Sequence, residues 1–165
     1  MDNRSIYSDF CQRVDNLDKG SRVALKRSAG IMLSQADGKA IGAFYRCVLP
    51  TVPQKQEEKW FAVACMKCLW DPQEARGQPV EQVIAHLMRD ERLTKSMQRR
   101  VEALLDTLWD QDGFMLVKLC RFMKFLRQKT DEALDFSQLL EDLIYWNGEN
   151  QSVQRRWARC IFSKG

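Results

Sequence analysis

Apolar positions recur three or four residues apart along the first seventeen residues, at Ile6, Phe10, Val14 and Leu17, with polar residues between them. That period predicts a helix from Asp2 to Leu17. Ser21 has the chemistry of an N-cap for a short helix carrying VALKR. GIMLSQADGKAIG, with Gly30, Gly38 and Gly42, reads as a loop. AFYRCVL makes another short helix, which Pro50 and Pro53 end. Gln54 to Leu69 forms a longer helix, and WDPQEARGQP is a linker with turn chemistry at Asp71-Pro72 and from Gly77 to Pro79.

The helical period resumes at Val80 to Met88, with Val83, Ile84, Leu87 and Met88 on one face. Thr94 begins the next helix, whose stripe is Met97, Val101, Leu104, Leu105 and Leu108. Gly113 to Gln128, Phe136 to Trp146 and Gln151 to Phe162 complete the series. Strand-like alternation is absent, and no repeat of 20–50 residues is visible. The expected fold is all-α: a compact helical bundle protein of about eight or nine helices, divisible into an N-terminal helical subdomain (1–92) and a C-terminal one (93–165).

Composition agrees with that pattern. The 165 residues are 45% hydrophobic and 29% charged, with eight Gly and four Pro, which suits a soluble, core-forming, helical chain. The longest apolar runs fall short of a membrane span, and the acidic start MDNRSIYSDF lacks a signal peptide, so a cytoplasmic protein without membrane association is expected. The six cysteines are mostly far apart and are expected to be free, buried thiols.

Charge changes the picture most. The net charge is only +4, but it is distributed in blocks. Lys19 to Lys55 holds seven basic residues and one acid; Gly113 to Thr130 holds five basic residues and no acid. Asn150 to Gly165 holds four and none, whereas Asp131 to Glu149 holds six acids and no base. Solvated surfaces usually mix signs, so this segregation points to an anionic partner.

Catalytic chemistry has little material. The single histidine, His86, lies beside the Val83–Leu87 stripe and reads as a partly buried structural residue. Cys65 and Cys68 have CxxC spacing, but one pair on an apolar helix is a weak zinc signal and is explained by core packing. Glu141 with Asp142, and Asp131 with Glu132, read as solvated carboxylates, and nothing separates them into acid and base roles. The chain is therefore expected to be non-enzymatic, with no metal, cofactor or small-molecule substrate.

The basic helices are more informative. In FMLVKLCRFMKFLRQK, Met115, Leu119, Phe122, Met123 and Leu126 form the core face. Lys118, Arg121 and Lys124 recur every third residue on an arc about 120° wide on the other side, with Phe114, Val117 and Phe125 on or beside it. Such a strip suits a sugar-phosphate backbone. In the last helix Val153, Trp157, Cys160 and Ile161 face inward, opposite Arg155, Arg156 and Arg159. Arg22 and Lys26 are like-charged i,i+4 neighbours flanked by Arg27, and Lys95, Arg99 and Arg100 make a further cluster.

Several of these stretches resemble one family. GSRVALKR, the Gly-rich gap after it and AFYRCVLP are similar to the CasB family, the small subunit of the type I-E CRISPR surveillance complex, Cascade. Arg99-Arg100, LVKLCRFM and LLEDLIYWNGENQSVQRRW extend the likeness, while Asp71 to Lys95 adds nothing diagnostic. Trp146-Asn147 stands where the resemblance implies a Trp-Trp pair, a departure that bears on the packing of that corner.

The resemblance implies a non-catalytic, all-helical protein that works as a pair of copies along the inner face of a crescent-shaped ribonucleoprotein. It would contact other subunits, guide RNA and target DNA, and stabilise the displaced strand. Matched by position, it assigns nucleic-acid contacts to Arg27, Lys55, Arg100 and Arg121. Arg22, Lys26, Arg99, Lys118, Lys124, Arg155 and Arg156 join them on charge and helix face. The competing expectation is a helical adaptor whose basic faces meet an acidic protein. Salt-steep binding to single-stranded DNA separates the two.

Overall fold

A computed structural model describes residues 3–70 and 77–163. Among them are nine α-helices and no strand. They are α1 (Asn3–Asp15), α2 (Lys19–Arg27), α3 (Gly38–Cys47), α4 (Glu57–Lys67), α5 (Val80–Leu87), α6 (Glu91–Leu105), α7 (Phe114–Lys129), α8 (Phe136–Ile144) and α9 (Ser152–Phe162). Short 3₁₀ turns at Leu33–Gln35, Gln54–Gln56, Cys68–Trp70 and Glu149–Gln151 link some of them. The expected helical residue Asp2 and the expected turn at Asp71-Pro72 lie outside the described residues.

Aspartate caps set four of the helix starts, and three of these starts fall earlier than expected. Asp18, not Ser21, is the N-cap of α2. Its carboxylate accepts from the Ser21 amide at 3.0 Å and the Ser21 hydroxyl at 2.6 Å. Asp37 accepts from the Ala40 amide at 2.9 Å, so α3 begins inside the stretch that its glycines mark as a loop. Asp90 caps α6 through the Arg92 amide, and Thr94 lies in the first turn with its hydroxyl donating to the Asp90 and Met88 carbonyls. Asp135 caps α8 through the Gln138 amide. Each such cap satisfies an otherwise orphaned amide and stabilises its helix by about 1 kcal/mol.

The middle of the molecule is α4, which is buried nearly all round and packs against α1, α2, α7 and α8. Lys67 belongs to this buried set; its ammonium meets Asp15 at 3.0 Å and lies 5.5 Å from the Phe136 ring centre. Aromatic edges interlock around the N-terminal half of α4: Phe10 meets Trp60 at 5.0 Å, and Phe44 meets Phe61 at 5.4 Å. Helices from either side of residue 92 share the core, since α1 packs on α8, α5 on α9, and α4 on both α7 and α8. Complete burial of each Leu, Phe or Met side chain there contributes about 1.5–3 kcal/mol.

Two features tie the later helices together. Gln78 donates to the Ala133 carbonyl at 2.9 Å and accepts from the Asp135 amide at 2.8 Å. Gly77 lies so close to the Leu134 backbone that a Cβ has no room there. At the other end of α8, Trp146 is buried and packs edge-on against Trp157 at 5.4 Å.

Candidate nucleic-acid interface

Three of the sequence-assigned cations, Arg100, Lys118 and Arg121, line one groove between α6 and α7, with a volume of about 590 Å³. The apolar stripes of both helices explain this. Met97, Val101 and Leu104 on α6, and Met115, Leu119 and Phe122 on α7, are buried, which turns the basic residues of both helices outward. Ala103, Phe114 and Val117 supply apolar walls, and Asp112 is the one acid among the lining residues. Phe114 is 72% exposed.

Several interactions fix the shape of this groove. The Arg100 guanidinium lies 3.9 Å from the centre of the Phe125 ring, a cation–π stack, and its Nε donates to Ser96 Oγ at 3.4 Å. Lys118 Nζ donates to Thr107 Oγ1 at 2.7 Å, which orients the ammonium and leaves two further donors. Gly113 precedes α7 in the left-handed conformation, φ 87°. Asp110 acts as the cap from four residues upstream, accepting from the Phe114 and Met115 amides at 3.2 and 3.0 Å. Those amides, Met115 first, hold the Asp110 carboxyl below its ordinary pKa.

The segment between α6 and α7 is itself anchored. Asn147 accepts from the Trp109 amide at 2.8 Å and donates to the Trp109 carbonyl at 2.9 Å. Trp146 Nε1 donates to the Thr107 carbonyl at 2.8 Å, and Lys59 Nζ lies 5.9 Å from the Trp109 ring centre. Asn147 thus holds the groove's connecting segment in place.

Next to the groove is a shallower depression lined by Arg92, Lys95, Arg99 and Arg100. Arg100 and Ala103 border both, so α6 and α7 carry a continuous basic strip. Sequence reasoning did not assign Arg92 or Phe114 to a nucleic-acid site. Arg92, Lys95, Arg99 and Ala103 follow one another by three or four residues, a period readable in the sequence. Arg92 is partly occupied, because it pairs with Asp90 at 3.1 Å.

The other candidates lie elsewhere. Lys26 and Arg27 are exposed at the end of α2. Lys124 Nζ donates to the Ala29 carbonyl at 3.2 Å, which sets the turn after α2 against α7. Arg22 Nη1 donates to the Asp15 carbonyl at 3.3 Å, at the end of α1. Lys55 is exposed on the 3₁₀ turn before α4, and Arg155 is exposed on α9.

Arg156 has a different environment from its neighbour. Its Nη2 lies 2.6 Å from Asp142 Oδ1 and its Nε 3.1 Å from Glu81 Oε2, so the guanidinium joins α9 to α8 and α5. Asp142 also accepts from Trp157 Nε1 at 2.9 Å and from Gln138 Nε2 at 3.0 Å. Asp142 is only 2% exposed, which corrects its reading as a solvated carboxylate. Other members of the acidic block are engaged internally too: Asp131 pairs with Arg127 at 2.8 Å, and Asp135 caps α8. The block is acidic in sequence, but several of its carboxylates have partners within the chain.

The groups considered for catalysis or metal binding are also placed. Cys65 and Cys68 are both buried, and burial pushes the Cys65 thiol well above its ordinary pKa. His86 is 42% exposed, more open than expected, with Nδ1 3.2 Å from a Glu132 oxygen. Among the described residues no group of three or more His, Cys, Asp and Glu side chains could hold a metal ion. No helix among them is long and apolar enough to cross a membrane.

Comparison with known proteins agrees with the likeness carried by GSRVALKR and AFYRCVLP. The family model for CRISPR-associated protein Cse2 matches residues 21–160. A CRISPR-associated protein Cse2 from Thermus thermophilus is 28% identical over 112 residues, 68% of this chain. That match spans 60% of the relative's length. The crystal structure of a Cse2-family protein from Thermus thermophilus superimposes with a TM-score of 0.78 at 22% identity, covering 99% of this chain and 100% of the other. M. ruber CasB gives 0.76 at 20% identity, covering 95% and 92%. A chain of a CRISPR RNA-guided surveillance complex gives 0.73 at 23% identity, covering 96% and 92%. These structural likenesses establish a shared fold.

Proposed function

The chain belongs to the CRISPR-associated Cse2 family, and from that premise we propose that it is the non-catalytic small subunit of a type I-E CRISPR surveillance complex. In that role it acts in the cytoplasm, alongside a second copy of itself and other subunits. It grips the backbones of guide RNA, target DNA and displaced strand through its basic helix faces. The observation that carries this reading is the strip on α6 and α7, where Arg99, Arg100, Lys118 and Arg121 face outward from helices whose other sides are core.

The mechanism is electrostatic. Exchanging a DNA duplex for an RNA–DNA hybrid is nearly balanced, so modest protein contacts to phosphates decide which state persists. A subunit that holds the displaced strand disfavours rewinding. Phosphates are alike along a strand, so this grip needs no sequence preference.

A salt titration of single-stranded DNA binding tests it, using Arg27→Glu and Arg121→Glu. Both residues are exposed, so each change leaves stability within about 0.5 kcal/mol. Each weakens binding and lowers the log–log salt slope by about 0.7 for each phosphate no longer neutralised. Asp9→Lys, an exposed change of the opposite sign on α1, does not weaken binding. Unchanged affinity and slope in both arginine variants would refute the reading and favour an adaptor for an acidic protein.

A further inference from the structure

The groove between α6 and α7 contains more than a phosphate grip requires. A backbone clamp needs cations, and Arg100, Lys118 and Arg121 supply them. It does not need a phenylalanine displayed 72% exposed at the first position of a helix. Nor does it need the apolar walls that Ala103, Leu104 and Val117 add beside that ring.

We infer that this groove seats one unstacked nucleobase of a single DNA strand, with Phe114 as the stacking surface and Arg100, Lys118 and Arg121 on the flanking phosphates. The inference rests on the strand-binding reading and adds a site to it. Two physical arguments select this occupant. First, the groove's lining combines charge and apolar surface, as a nucleotide does: Arg100, Lys118 and Arg121, with the exposed Phe114 ring and its apolar neighbours. Aromatic side chains within a positive groove are the general solution for binding single strands without reading sequence. At about 590 Å³ the groove is within the ordinary range for small-ligand sites, and so has room for a base.

Second, the backbone that carries the ring is fixed. Asp110 holds the Phe114 and Met115 amides, and Gly113 makes the turn into α7. Asn147 and Trp146 fix the segment leading there. With that backbone fixed, only the two side-chain torsions of Phe114 remain to be ordered when a base stacks on it. The acid in the lining, Asp112, disfavours close approach of a phosphate on its own side and so favours a strand running along the Arg100–Lys118–Arg121 side. Base stacking and phosphate pairing are both open to a deoxyribose strand, since neither uses a 2′-hydroxyl.

The test uses the full-length chain, a fluorescently labelled oligothymidine, the same strand with abasic sites in place of the bases, and an oligouridine. Phe114 is exposed, so Phe114→Ala leaves the fold intact, as a thermal melt verifies. It weakens oligothymidine binding by about 5- to 150-fold, the range for losing one base–aromatic stack. The salt slope does not change, because every phosphate remains neutralised. Phe114→Tyr, which keeps the ring, restores wild-type affinity. Binding to the abasic strand is the same for wild type and Phe114→Ala.

Unchanged oligothymidine affinity in Phe114→Ala, while Arg121→Glu still weakens it, overturns the base seat and leaves the strand-binding reading standing. Equal losses on the thymidine and abasic strands also overturn it, since the ring would then act without a base. A loss confined to oligouridine overturns the assignment to DNA. Failure of the wild type to bind any of the three strands refutes the broader reading itself.

Discussion

Asp142→Asn replaces one oxygen with a nitrogen at nearly constant shape, at the junction of α5, α8 and α9. In the native fold the carboxylate accepts three hydrogen bonds, from Arg156 Nη2, Trp157 Nε1 and Gln138 Nε2. An asparagine offers one acceptor oxygen, and its amide nitrogen turns N–H groups toward donors. If the oxygen stays with Arg156, the buried Trp157 N–H loses its acceptor, at about 1–3 kcal/mol. The Arg156 guanidinium is 45% exposed and can turn partly to water, so its lost ion pair adds about 1 kcal/mol. The sum is about 3 kcal/mol, a large share of the ~5–15 kcal/mol typical of a domain. At about 2–4 °C per kcal/mol for a chain of this size, Tm falls by about 6–12 °C.

Glu81→Gln is the paired measurement. Glu81 shares Arg156, yet its Oε1 is buried without a protein partner. Glutamine keeps an acceptor for Arg156 Nε and removes a charge that burial opposes, so its cost stays below about 1 kcal/mol. Circular dichroism melts of both variants, with denaturant titrations, check the contrast. An Asp142→Asn variant within about 1 kcal/mol of wild type, or a Glu81→Gln variant as damaging as it, would refute the claim that Asp142 is the anchor.

Two further outcomes follow from the buried titratable groups. Burial, aided by the Asp142 charge, raises the Glu81 carboxyl above its ordinary pKa. The folded chain therefore takes up this proton before the unfolded one, and the group's contribution to stability grows as pH falls toward the unfolded value of about 4.3. Relative to wild type, Glu81→Gln is least costly at neutral pH and becomes more costly as pH falls toward about 4; denaturant titrations across that range that show the opposite trend would refute it. Burial also pushes Cys11 up to about 12 and Cys47 and Cys120 up to about 11. Iodoacetamide at neutral pH thus leaves these thiols unmodified in the native chain, and mass spectrometry reads this directly. Cys65→Ser with Cys68→Ser lowers stability modestly and leaves DNA binding intact, since both side chains act as small hydrophobes; lost binding in a normally folded variant would contradict this.

The sequence carries the helical stripes clearly. Met115, Leu119, Phe122, Met123 and Leu126 are all buried, as their spacing requires. Local period is enough for this, because a helix face is decided by neighbours three and four residues away. The aspartate caps at 18, 37 and 90 are less legible: an aspartate before a helix looks like any loop aspartate until the amide it accepts from is seen. Asp142 and Arg156 escape sequence reading together. Each sits on an exposed-looking helix position, and only the packing of α9 against α5 and α8 brings them to 2.6 Å. The basic residues of α6 and α7 can be read singly, but their shared groove depends on how two distant stripes dock.

The anchoring of the α6–α7 connection has a consequence for the gene's tolerance of insertions. Surface connections usually accept extra residues readily, because lengthening a flexible loop adds little entropy cost. Here the chain between Thr107 and Phe114 is held near one end by Trp146 and by both polar groups of the Trp109 backbone, and at the other by Asp110 and the Gly113 turn. Its residue count is set like the length of a strut between fixed joints. A linker, epitope tag or single-residue deletion placed there would shift Phe114 and Lys118 out of register with Arg100, although the site lies on the surface.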